Sequence, residues 1–195
     1  MIDIPTFRVA ELLESCSIYG PGDRFVIWLQ GCTLRCPGCW NQEMWPAEGG
    51  QVWRIDDLAQ LALSAKGSDG VTLMGGEPLE QADALAPFLD LIRAGGKSVV
   101  LFTGYEPEEL TEVGHLCFER SDIIVTGRYL AELRDTSIGW RGSANQRIHF
   151  PTGRYESYGP ETREPTEVSI GGDGRVSVAG YPDDELIYLI KSICC

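Results

Sequence analysis

The stretch "RFVIWLQGCTLRCPGCWNQ", residues 24–42, runs an apolar segment straight into a loop that holds three cysteines inside eight residues. Residues 24–30 read as a buried strand, because the run is short, apolar and closed by glycine. Cys32, Cys36 and Cys39 then follow with the spacing C-x3-C-x2-C. Thiolates are soft ligands, suited to zinc and to iron–sulfur clusters. Gly31 and Gly38 let the backbone wrap closely at positive φ, and Pro37 stiffens the turn. Three thiolates match three corners of a cubane cluster, and the missing fourth ligand leaves one iron open to a substrate. Two other readings stay open on the loop alone. A structural zinc would take its fourth ligand from Cys117, His115, His149 or the Cys194-Cys195 pair. A Cys36–Cys39 dithiol is a possible redox pair, but it leaves Cys32 without a role.

Outward from this loop, strand-like and helix-like segments alternate. Residues 55–66 are helical, with Leu58, Leu61, Ala62 and Ala65 on one face. Residues 70–74 form a short buried strand that ends at Gly75-Gly76. The run 82–96 has Leu85, Phe88, Leu89 and Ile92 at helical spacing, Asp83 as a cap and Gly95-Gly96 as a stop. Residues 98–104 are a strand, 107–118 a helix with Pro107 at its first position, 122–127 a strand and 145–150 another. Such alternation means βαβ units and a parallel sheet with right-handed crossovers. Ligands of such sheets sit beyond the carboxyl ends of the strands. There the sequence places the cysteine loop, then "GGEP", "TGY" and "TGR". The units are too few for a full barrel, so the expected fold is α/β: a partial, open βα barrel. Residues 166–180 alternate around Asp173-Gly174, which signals a hairpin, and 182–193 read as a short helix. The expected division is a partial-barrel domain over 1–155 and a hairpin-and-helix extension over 156–195, packed on that domain.

Composition bounds the partners. Lys and Arg total 16 against 29 Asp and Glu, a net charge of −13, which repels nucleic-acid phosphates and anionic lipid. No apolar run approaches the ~20 residues of a membrane helix, and the first residues lack a secretory pattern. A cytoplasmic protein with no nucleic-acid or membrane partner is the expectation. The seven cysteines are odd in number, so clustered cysteines here point to metal or redox chemistry rather than to a disulfide framework. Cys16 and Cys117 read as buried bystanders.

"GGEPLEQ" (75–81) narrows the choice. Two glycines after a buried strand admit a ligand against the backbone, and Glu77 presents a carboxylate able to receive an ammonium group. With the upstream cysteine loop at the same rim, the chain resembles the radical S-adenosylmethionine superfamily. Its resemblance is greatest to the activating enzymes of glycyl radical proteins, in particular those of anaerobic ribonucleotide reductase. The resemblance runs from about Tyr19 to Phe150 and rests on "YGPGDRFVIWLQGCTLRCPGCWNQ", "LMGGEPLEQ", "FTGYEPEEL", "DIIVTGRYL" and "WRGSANQRIHF". Many superfamily members place an aromatic before the third cysteine; here Gly38 holds that position and Trp40 follows, the order of the reductase activators. Residues after about Tyr155 depart from the pattern.

The resemblance implies a [4Fe–4S] cluster on Cys32, Cys36 and Cys39, with S-adenosyl-L-methionine chelating the open iron. It implies reductive cleavage to a 5′-deoxyadenosyl radical, hydrogen abstraction from a glycine of a glycyl radical protein, and a reductant such as flavodoxin or ferredoxin. It further implies that Gly75, Gly76 and Glu77 hold the methionyl amino group, that Pro78 fixes their turn and that Trp40 packs beside the cluster or adenine. Thr103 and Gly104 border the methionyl carboxylate or ribose, and Arg128 pairs with that carboxylate. Residues 19–22 line the substrate entrance, while Asn145, Gln146 and Arg147 match a family stretch of underived role. A stand-alone radical enzyme acting on a small molecule or peptide is the second reading, with the extra tail shaping its pocket. A zinc-stapled interaction protein is the third.

Overall fold

The computed structural model describes residues 4–159, 166–170, 176–182 and 184–193. The Cys194-Cys195 pair and the Asp173-Gly174 turn lie outside the described residues.

A seven-stranded sheet forms the body, ordered β3-β1-β2-β4-β5-β6-β7. Its centre is β2 (Arg24–Leu29), β4 (Gly70–Gly75), β5 (Ser98–Phe102) and β6 (Ile123–Thr126), all parallel. These runs are buried throughout or nearly so, as parallel strands are when covered on both faces. Antiparallel strands flank them: β1 (Thr6–Cys16) beside β2, β3 (Gln51–Arg54) beside β1, and β7 (Arg147–His149) beside β6.

The helices α1 (Ile55–Ser64), α2 (Ala82–Ala94) and α3 (Glu112–Arg120) pack on one face of the sheet. Phe25, Ile27, Leu29, Val71, Leu73, Val99 and Leu101 meet Leu58, Ala62, Leu85, Phe88, Leu89, Ile92 and Cys117 in one core. The alternate residues of β2, Val26 and Trp28, turn to the other face and join Cys16, Met44 and Ala179. The two-residue period of a strand thus divides the sheet into a helix-covered side and a second side free for the site.

Two expectations need correcting, and one element was not foreseen. Residues 107–118 are not one helix. A 3-10 turn over Pro107–Glu109 ends at an extended Leu110, and α3 starts afresh behind Thr111, whose hydroxyl accepts from Gly114 N at 3.1 Å. The threonine cap takes an end that Pro107 suggested further back. Asp83 does not cap α2; it sits in the first turn, where its charge favours the helix dipole. The N-terminal segment, read only for what it is not, is an 11-residue strand.

Arg24 was also not foreseen. It is fully buried at the start of β2 and donates to Thr72 Oγ1 (3.2 Å), Ser98 Oγ (2.6 Å), Val71 O (2.7 Å) and Ser98 O (3.1 Å). One guanidinium therefore ties β2, β4 and β5 together at their amino ends. Burial lowers its pKa to about 10, so it stays charged at neutral pH. The carboxyl ends, which carry the site, are left to the loops.

Beyond the body, β8 (Thr166–Ile170) and β9 (Val176–Gly180) pair antiparallel, and α4 (Asp184–Ile193) follows. The hairpin and the helix match the sequence reading. No helix among the described residues is long and apolar enough to cross a membrane.

Candidate active site

The cysteine loop is pinned at both ends. Gly31 N donates to Met44 O at 2.8 Å and Cys32 N to Trp45 O at 3.0 Å, which closes the loop. Gln30 Nε2 holds Pro46 O at 2.8 Å. Inside it, Cys39 N turns back on Cys36 O at 3.0 Å. Gly31 and Gly38 adopt the expected left-handed φ, 101° and 74°. Arg35 does so too, at φ 45°, a strained conformation for a residue with a Cβ. The thiols of Cys32, Cys36 and Cys39 are free and partly exposed.

The turn after β4 supports the loop. Gly76 N donates to Leu29 O at 2.7 Å and Glu77 N to Gly31 O at 2.8 Å. A Cβ on Gly75 would stand 2.6 Å from Leu29 N, and one on Gly76 would stand 2.1 Å from Gly31 O. The room that these two glycines provide is thus taken by backbone, that of the end of β2 at Gly75 and that of the start of the cysteine loop at Gly76. Thr33 adds N–H and hydroxyl bonds to Glu80 Oε1, at 2.7 and 2.5 Å.

Glu77 is buried, and its carboxylate accepts from Thr103 Oγ1 (2.7 Å), Leu79 N (3.0 Å) and Gly104 N (2.8 Å). Burial raises its pKa to about 7, against the pull of those donors. Glu77 therefore joins the end of β4 to the end of β5 as well as facing the cavity. Pro78 is buried and opens the 3-10 turn that carries Leu79 and Glu80.

One cavity of about 200 Å³ collects most of the expected residues: Cys32, Cys36, Cys39, Trp40, Gly75, Gly76, Glu77, Thr103 and Gly104. Trp40 is 49% exposed, so it is no core residue; it forms part of the wall. Tyr19 lines the cavity as expected of the entrance segment, and it packs edge-on against Trp28 and Phe102. Residues 20–22 do not line it. Nor does Arg128, whose guanidinium pairs with Glu109 and lies 5.7 Å from the Tyr105 ring centre.

Sequence reasoning missed Arg141, the one arginine or lysine lining the cavity among the described residues. It stands within "WRGSANQRIHF", so the signal was present. Its Nε is buried without a partner, as is Trp45 Nε1 on the same lining. Buried N–H donors without acceptors suit a ligand that brings negative charge. The role of Asn145 and Gln146 now has a geometry. Asn145 Nδ2 donates to Arg128 O at 2.8 Å and Gln146 Nε2 to Gly127 O at 2.9 Å. Gln146 Oε1 receives Gly142 N at 2.8 Å. They pin the loop that carries Arg141 to the end of β6. Arg147 is exposed in β7.

Among the described residues the expected fourth ligands of a zinc site do not join the three thiols, and the Cys194-Cys195 pair lies outside those residues. Cys117 is buried under the helices with Sγ on Ala82 O at 3.8 Å, and His149 faces Thr126 Oγ1 at 3.0 Å. Neither lines the cavity, and His115 does not either. Among the described residues no group of three His, Cys, Asp or Glu is arranged to hold a metal ion. Cys32, Cys36 and Cys39 line one cavity, and three thiols on one wall suit the three protein corners of an iron–sulfur cluster.

A family model described as a 4Fe-4S single cluster domain matches residues 18–149. The anaerobic ribonucleoside-triphosphate reductase-activating protein of Escherichia coli K12 is 32% identical over 143 residues, covering 68% of this chain and 91% of that protein. Its namesake in Haemophilus influenzae is 33% identical, with 68% and 90% covered. That of Enterobacteria phage T4 is 34% identical over 137 residues, with 67% and 86% covered. This chain belongs to that family. As a reductase-activating-protein family member it carries the 4Fe-4S domain across the whole cysteine loop, the Glu77 turn and the Arg141 loop. Escherichia coli QueE superposes on 60% of this chain with a TM-score of 0.44 at 19% identity, too distant to bear on the fold.

Proposed function

We propose that the chain is a radical S-adenosylmethionine enzyme that activates a glycyl radical protein. The observation that carries this reading is the meeting of Cys32, Cys36 and Cys39 with Gly75, Gly76 and Glu77 on one cavity beyond the carboxyl ends of parallel strands. The relatives' name, a reductase-activating protein, supplies the partner class. Cys32, Cys36 and Cys39 would hold a [4Fe–4S] cluster, which would supply the electron for reductive cleavage of S-adenosylmethionine and so for hydrogen abstraction from a glycine of the partner.

The protein's part is to bind, orient and exclude water. The three thiolates hold the cluster and leave a position for the amino and carboxylate groups of S-adenosylmethionine. The turn at Gly75-Gly76-Glu77 receives the ammonium group, and Glu77 is already fixed by Thr103 and Gly104. Arg141, with an unpartnered buried Nε, is better placed for the carboxylate than Arg128, which Glu109 engages. Trp40 and Tyr19 wall the cavity. Helices on one face of the sheet suit a partial, open barrel, with residues 1–155 as its body and 156–195 as an extension. A flavodoxin or ferredoxin supplies the electron in the cytoplasm. The net charge of −13 disfavours nucleic-acid and membrane partners.

The test is anaerobic reconstitution with iron and sulfide, then addition of reductant and S-adenosylmethionine. The reading expects about four iron and four sulfide per chain and 5′-deoxyadenosine as product. One bound zinc, or an iron-loaded protein that yields no 5′-deoxyadenosine, would remove it. Consumption of a small metabolite together with S-adenosylmethionine would favour the stand-alone enzyme.

A further inference from the structure

The relatives match about two-thirds of this chain while being covered almost end to end, so the hairpin and helix after the body are an addition to the family core. That addition is anchored, and it reaches the cavity. Glu167 Oε2 in β8 accepts both the N–H and the hydroxyl of Ser17, at 2.8 and 2.6 Å. Gly180 N at the end of β9 donates to the Tyr19 hydroxyl at 2.6 Å. Ala179, one residue before, is buried with Cys16, Val26, Trp28 and Met44. These contacts fix the chain up to Gly180, and the next residue, Tyr181, enters the cavity lining with it.

The surroundings of Tyr181 are specific. Its ring meets Trp40 edge-on, with centroids 5.8 Å apart and planes at 74°. Its hydroxyl lies where a side chain on Gly142 would begin, 2.6 Å from an ideal Cβ. Desolvation raises the phenol's pKa. Tyr181 therefore bridges the Cys39-Trp40 side of the cysteine loop and the Gly142 loop, two parts of the cavity wall. A phenol spanning them leaves less width between them than a small side chain at this position would.

We propose that Tyr181 is a specificity-determining residue that narrows the opening beside Cys39 and so selects a slender substrate segment. On the activase reading, which this inference deepens, the segment is an extended backbone whose reacting residue carries no side chain. The narrowing itself is a property of the protein, and it is measurable without cluster or S-adenosylmethionine.

The experiment uses the full chain, reduced and free of metal, under anaerobic conditions. Two maleimides of one chemistry and different size, N-methylmaleimide and N-pyrenylmaleimide, are reacted with it, and the modification of Cys39 and Cys32 is followed by peptide mass spectrometry. In the parent protein the bulky reagent should lag the small one at Cys39 by more than at Cys32. Tyr181→Ala should speed the bulky reagent at Cys39 several-fold and leave the Cys32 ratio unchanged. Tyr181→Phe should keep the parent pattern, because the ring and not the hydroxyl fills the gap. Tyr19→Phe, which removes the acceptor for Gly180 N but no ring, should give a partial rise. An unchanged Cys39 ratio in Tyr181→Ala would overturn the proposal. So would an equal rise at both cysteines, since that reports general loosening. Failure of the protein to bind a cluster would count against the activase reading and leave this measurement standing.

Discussion

The Thr103 hydroxyl donates to Glu77 Oε1 at 2.7 Å, and this bond joins the turn after β4 to the end of β5 at the floor of the cavity. Gly104 N completes the join on the other carboxylate oxygen at 2.8 Å. A buried carboxylate with three donors is costly to remove, because each donor left without an acceptor keeps its desolvation cost. Glu77→Ala should lower the stability of the metal-free protein by roughly 2–4 kcal/mol in urea unfolding. At a pH where it remains folded, the variant should retain its iron and bind S-adenosylmethionine about 10- to 150-fold more weakly in calorimetry, the loss of one charge-assisted bond. Unchanged affinity would leave Glu77 as a structural tie and nothing more.

The same group makes stability depend on pH. Burial raises the Glu77 pKa from 4.5 to about 7, so between those values the folded protein holds a proton that the unfolded chain releases. The contribution is full below about pH 4.5 and is lost as pH rises through about 7. Its span is at most roughly 3 kcal/mol. The difference in unfolding free energy between the parent and Glu77→Gln should therefore shrink from pH 5 to pH 8. Glu77→Gln still places an amide N–H against one of the three donors, so the variant should be the less stable at the acid end. A difference that is flat with pH would place the titration elsewhere.

Cysteine replacements separate the ligands from the bystanders. Cys32→Ala, Cys36→Ala and Cys39→Ala should each lose the broad visible absorbance of the reconstituted cluster, because a three-thiolate site has no spare ligand. Cys16→Ala and Cys117→Ala should keep full iron content, since both thiols are buried away from the cavity. Iron and sulfide analysis decides the matter; a full cluster in any of the first three variants would contradict the assignment.

Two arginines compete for the carboxylate of S-adenosylmethionine. Arg141→Ala should weaken its binding by about tenfold or more, the value of a hydrogen bond to a charged group. Arg128→Ala should leave the affinity within a factor of about two, because its loss frees an exposed Glu109 and little else. Equilibrium dialysis against the loaded protein reads both. The reverse order would return the role to Arg128.

The parallel core was legible because each strand is a short apolar run closed by a turn signal, and the site was legible because these runs end in cysteine, glycine and glutamate. β1 was not legible: Arg8, Glu11 and Glu14 break its apolar pattern, and its pairing with both β2 and β3 supplies what its own alternation lacks. The break at Leu110 was hidden because Pro107 and Thr111 are both good helix starts, and only the observed caps choose between them. Arg128 and Arg141 could not be told apart on the chain. Each follows a glycine or precedes one near a strand end, and only the pairing of Arg128 with Glu109 shows which is engaged. Tyr181 was unreadable for a different reason: its place rests on the bond of the preceding Gly180 to Tyr19 and on its own contact with Trp40, both more than a hundred residues away.

The central claim is that this chain places a radical on a glycine of a larger protein. The most direct measurement is electron paramagnetic resonance of a reaction containing the loaded chain, reductant, S-adenosylmethionine and an anaerobic ribonucleotide reductase of the source organism, frozen after anaerobic incubation. The account predicts a glycyl radical doublet that stays with the reductase when the two proteins are separated, and that is absent with Cys36→Ala. No doublet on any glycyl protein of that organism, while 5′-deoxyadenosine still accumulates in step with loss of a small metabolite, would contradict it.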